Sequence, residues 1–130
     1  MNRDALRAFL KDPSAFAKEP AAIDAKRWRA ARTDVAVPAA QAGGIAALRP
    51  AQEAAWTGFE GSRLGLVLGP PGTGKTFVLA LMVASNLVIA RRADLRCRVL
   101  VSAFTKTAIS NVLEKVVEIL IALGEDIPVV

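Results

Sequence analysis

Leu64-Gly65-Leu66-Val67-Leu68-Gly69-Pro70-Pro71-Gly72-Thr73-Gly74-Lys75-Thr76-Phe77 is a short apolar run, a glycine-rich turn and the start of a long apolar segment. Residues 69–76 have the spacing G-x-x-x-x-G-K-T. In such a loop the glycines let successive backbone N–H groups turn inward around phosphate oxygens, and the helix that follows adds the positive end of its dipole. The pattern predicts a nucleotide site formed by Gly69, Pro70, Pro71, Gly72, Thr73, Gly74, Lys75, Thr76 and Phe77. Lys75 would reach the β- and γ-phosphates, and the Thr76 hydroxyl would serve Mg²⁺ beside ATP, making these two the candidate catalytic residues. A glycine-rich turn that merely joins a strand to a helix is the bland alternative, and the Lys-Thr pair counts against it.

On either side, the alternation of apolar runs sets an expected architecture. Residues 64–68 read as a first strand, residues 75–91 as a helix buried on most sides, and residues 98–102 as a second strand covered on both faces. Residues 107–123 have apolar positions at helical spacing, with Gly124 as C-cap, and residues 127–130 start a third strand. The order predicts an α/β fold, the opening of a RecA-like P-loop domain with a parallel sheet. Upstream, residues 4–11 and 23–32 read as short amphipathic helices, residues 35–38 as extended, and Gln41-Ala42-Gly43-Gly44 as a linker. The expected division is a helical N-terminal extension over residues 1–40 and an incomplete P-loop domain over residues 46–130.

Composition narrows the chemistry. The chain has 130 residues, 53% of them hydrophobic, enough for one domain-sized core. It has no histidine and a single cysteine, which excludes imidazole triads, disulfides within the chain and cysteine clusters, and points to a reducing cytoplasm. Cys97, beside an apolar run, reads as a small core residue. Residues 76–90 are too short an uncharged stretch to cross a membrane, and residues 1–10 carry charges where a signal peptide would be apolar. Residues 1–49 hold nine Lys/Arg against five Asp/Glu, and residues 50–130 eight against seven. Lys26, Arg27, Arg29 and Arg32 around Trp28 read as a solvated helix face before they read as a nucleic-acid patch.

Three features in order carry a resemblance. Gln52 stands upstream of the loop in Leu48-Arg49-Pro50-Ala51-Gln52-Glu53-Ala54-Ala55, the loop has its Pro70-Pro71 form, and Val99-Leu100-Val101-Ser102-Ala103-Phe104-Thr105-Lys106-Thr107-Ala108-Ile109-Ser110-Asn111 follows. Residues 46–130 resemble the first motor domain of superfamily 1 helicases, in the 5′-to-3′ branch that contains the nonsense-mediated-decay helicase and the replication helicase-nuclease. The resemblance implies that Gln52 reads adenine and that Thr105, Lys106, Thr107 and Asn111 touch single-stranded DNA or RNA. Two positions depart from the family: Lys106 replaces the usual Asn or His, and Ser110 the usual Asp. The loop alone is shared with AAA+ ATPases, so that class stays open, as does a truncated module that binds nucleotide without turnover. Hydrolysis needs a later acidic pair, and no apolar run after residue 76 ends in Asp-Glu. Asp94, Glu114, Glu118, Glu125 and Asp126 fall in loops or on the second helix. Oligomeric state is open.

Overall fold

A computed structural model describes residues 3–18, 23–42, 48–60 and 64–128. In chain order its elements are α1 (Arg3–Lys11), α2 (Pro13–Lys18), α3 (Ala25–Ala31), a π-turn (Arg32–Ala36), α4 (Val37–Ala42), α5 (Pro50–Gly58), α6 (Lys75–Arg92) and α7 (Lys106–Ala122).

Local chemistry explains most of these boundaries. Asp24 caps α3 by accepting from the Arg27 N–H at 2.8 Å, and Asp12 does the same for α2 through Ala15 at 3.0 Å. Pro50 opens α5, where its missing N–H costs nothing. The carboxyl end of α7 closes with Gly124 at φ 68°: Glu125 N–H reaches Leu120 O, and Gly124 N–H reaches Ile121 O. Asp94, at φ 53°, closes α6 with the same pair of bonds, Leu95 to Ala90 and Asp94 to Arg91.

The expected parallel sheet is not what forms. Among the described residues there is no strand, and α6 is the centre of a helical core. It packs against α7, α3, α5 and the π-turn, burying Val78, Ala80, Leu81, Met82, Ala84, Val88 and Ile89, as its nearly uninterrupted apolar sequence requires. Residues 64–68 and 98–102 form neither strand nor helix and make no backbone pairing to one another. Within the first run the Gly65 backbone lies close to the Phe59 ring and Val67 packs on the core, while Leu66 and Leu68 stay 85% and 91% exposed. Leu100 is equally exposed at 91%. A strand is stabilised only by a neighbour on its hydrogen-bonding edge, and a lone short pair is marginal in water; here the helices have taken the core instead. Of the expected third strand, residues 127 and 128 are unpaired, and 129 and 130 lie outside the described residues.

The expected extended stretch at residues 35–38 is also helical. Pro38 has no N–H to continue an i→i−4 ladder, and the chain absorbs that gap by widening into the π-turn, where Val37 N–H reaches back to Arg32 O. Gln41 and Ala42 end α4, and Gly43 and Gly44 of the expected linker lie outside the described residues. α3, the π-turn and α4 pack into the main core: Trp28, Ala31, Val35, Ala36 and Ala39 join the same cluster as α6 and α7.

Candidate nucleotide-binding loop

The loop takes the conformation that its glycines permit. Gly72 and Gly74 sit at φ 79° and 80°, the left-handed region that disfavours any side chain. Gly74 is the N-cap of α6, and its carbonyl accepts the first helical bond, from Val78 at 3.1 Å. Thr73 Oγ1 donates to Pro70 O at 2.8 Å and pins the turn. Lys75 folds back over the loop, its Nζ donating to Gly69 O and Pro70 O, both at 2.5 Å. The ammonium therefore lies on the inner side of the loop, held by neutral carbonyls that an anion would readily replace as its partners.

Gln52 meets the loop from α5. It is buried, its Oε1 accepts from Arg49 N at 3.0 Å, and its Nε2 lies 2.4 Å from where a β-carbon on Gly74 would be. Between α5 and the loop lies a cavity of ≈ 180 Å³ lined by Gln52, Ala55, Val67, Gly69, Pro70, Thr73 and Lys75 among others. Lys75 is the one charged residue in that lining. Pro71 and Thr76 are exposed and not among the residues that line the cavity, and Phe77 is half-buried against the core. The structure thus brings Gln52 beside Gly74 and into one lining with Gly69, Pro70, Thr73 and Lys75. Ala55 and Val67 line the same space; nothing in the sequence separated them from ordinary core positions.

The other candidates lie elsewhere. Thr105 caps α7, its Oγ1 accepting from Ala108 N at 3.2 Å. Lys106, Thr107 and Asn111 are exposed, and none of residues 104–111 lines the loop cavity. Phe104, next to Thr105, is fully exposed; its one signal in the sequence is an aromatic immediately before Thr-Lys-Thr.

The basic face of α3 is largely neutralised within the chain: Arg27 pairs with Asp24 at 3.3 Å, Arg32 with Glu53 at 2.5 Å, and Arg29 with Glu60. Among the acids, Glu118 pairs with Lys115 and Glu125 with Arg91 and Arg92, and among the described residues no carboxylate lines the loop cavity. Cys97 is half-buried, and desolvation pushes its thiol pKa up, which suits an inert packing residue. Among the described residues no helix is long and apolar enough to cross a membrane.

The AAA domain family matches residues 47–127, well over half of the chain. No curated protein and no solved structure matches it.

Proposed function

Because the chain belongs to the AAA domain family, a family of helicase-like ATPases, we propose that it binds ATP at residues 69–77 as the nucleotide-binding part of a superfamily 1 helicase acting on single-stranded DNA or RNA. The observation that carries this reading is the Lys75 ammonium folded onto the carbonyls of Gly69 and Pro70, at the rim of a cavity that holds no other charge. A cavity of ≈ 180 Å³ is below the roughly 300 Å³ at which whole-ligand pockets begin, so it suits part of a nucleotide, with Lys75 and Gln52 both in its lining. Gln52 Oε1 keeps a second lone pair and Nε2 supplies donors, the two polarities that adenine's N6/N7 edge calls for.

The exposed Thr76 hydroxyl at the start of α6 fits one Mg²⁺ position, the remaining ones falling to phosphate oxygens and water. When bound, the ion would neutralise charge on the β- and γ-phosphates. With no carboxylate at the cavity among the described residues, binding is the activity proposed for this chain, and unaided turnover is expected to be slow. Titrating the chain with a fluorescent ATP analogue and Mg²⁺ tests the reading: ATP and ADP should displace the probe, and GTP should do so less well. Failure of ATP to displace it, or probe bound equally in the presence of ATP and inorganic phosphate, would overturn the assignment.

The nucleic-acid half of the proposal rests on Phe104, Thr105, Lys106, Thr107 and Asn111. A fully exposed aromatic beside an exposed lysine and hydroxyls is the combination that stacks a base and holds its phosphate. Lys106→Ala should weaken binding of oligo-dT and oligo-dA equally and flatten the log–log salt dependence by about 0.7, the value of one phosphate contact on a single strand. An unchanged slope would make Lys106 a solvated departure from the family pattern.

A further inference from the structure

Gln52 sits at one end of a short lever whose other end is Trp56. The two stand at i and i+4 on α5 and share its buried side. Gln52 presses its amide nitrogen against Gly74, while Trp56, one turn on, stacks against Trp28 of α3 with ring centroids 4.6 Å apart and planes inclined by 21°. Trp28 Nε1–H also donates to Trp56 O at 3.0 Å. On either side of that stack Arg32 donates to Glu53 at 2.5 Å, and Arg29 pairs with Glu60 just beyond the end of the helix.

α5 has only nine residues, too few to hold its own geometry in water, so its position is set by what it packs on. The Gln52 carbonyl oxygen is tied to Arg49 N at the helix start, so the amide cannot re-aim independently: wherever α5 moves, Gln52 moves with it. The π-turn contributes too, since it begins at Arg32, which reaches α5, and ends with Val35 and Ala36 buried in the core. We infer that α3 and the π-turn form a clamp, through Trp28, Arg29 and Arg32, that fixes the Gln52 amide against the phosphate loop and thereby sets the preference for adenine. These are positioning residues, and the inference rests on the nucleotide-binding reading above.

Charge reversal tests the clamp in the full chain, because Arg32 and Glu53 are 54% and 33% exposed and their exchange leaves the core intact. Arg32→Glu and Glu53→Arg, made singly, should each lower ATP affinity about three- to fivefold, the span that a half-exposed ion pair supports, and leave GTP affinity unchanged. The near-UV circular dichroism of the stacked tryptophans, the only two in the chain, should weaken in the same single variants without nucleotide present. The double variant should restore both. ATP and GTP affinities falling together, or ATP selectivity retained while the tryptophan signal falls, would overturn the clamp while leaving nucleotide binding intact. A wild-type chain that binds ATP no better than GTP would remove adenine recognition and the clamp with it.

Discussion

Trp56→Ala is expected to remove about 3–5 kcal/mol of folding stability, the range for truncating a large aromatic in a packed core. Trp56 is 2% exposed, and it packs between α3, through the Trp28 ring, and α6, against which α5 lies. Its removal would leave a cavity on the core side and strip the stacking partner from Trp28, an interaction worth about 0.5–1.5 kcal/mol beyond burial. For a domain whose total stability is on the order of 5–15 kcal/mol, that is a large fraction, and urea unfolding should show the midpoint falling at constant slope. Trp56→Phe is the informative contrast. Trp56 Nε1 is buried without a hydrogen-bond partner, so the phenyl ring loses contact area but also relieves an unsatisfied donor that itself costs about 1–3 kcal/mol. The Phe variant should therefore lie much nearer wild type than the Ala variant. Equal losses for the two, or a loss below about 1 kcal/mol for alanine, would mean that the stack is not the joint of this core.

What the sequence could disclose follows from how local each cause is. The turn at residues 69–76 was legible because its geometry is dictated by residues within it: Gly72 and Gly74 adopt the positive φ that their lack of a side chain allows, and Thr73 closes the turn on Pro70. The spans of α6 and α7 were legible to within a residue, because an unbroken apolar segment and an apolar stripe at helical spacing need no distant information, and Gly124 marks its own cap. The sheet was misread because an apolar run states only a preference for burial. Residues 64–68 and 98–102 needed a partner on the hydrogen-bonding edge to become strands, and partners are non-local; Leu66, Leu68 and Leu100 remain outside the core. Residues 35–38 read as extended from sequence, whereas the π-turn carries them, Pro38 included, along a helical path. The Trp28–Trp56 stack joins residues far apart in the chain, and no periodicity within either helix could have announced it.

Lys75→Ala should weaken ATP binding by about 1.5–3 kcal/mol, on the order of ten- to a hundredfold, because it deletes a charge-assisted contact to phosphate. Lys75 has a second role here that affects how the result is read. Its Nζ also bridges the carbonyls of Gly69 and Pro70, so the substitution frees the loop as well as removing the charge. The two contributions separate by substitution. Lys75→Met keeps most of the side-chain length without the charge, and if charge carries the affinity it should bind ATP as poorly as the alanine variant. Lys75→Arg keeps the charge but must seat a planar, five-donor fork at the rim of a ≈ 180 Å³ cavity shaped around a compact ammonium, so it should recover only part of the affinity. Folding stability should be nearly unchanged in all three, since Lys75 lies at the half-buried start of α6 and its two acceptors are on exposed residues that water can satisfy. Affinity for ATP equal to wild type in the alanine variant would mean that the loop is a turn between an extended segment and a helix and nothing more, and the nucleotide site would have to be sought elsewhere on the chain.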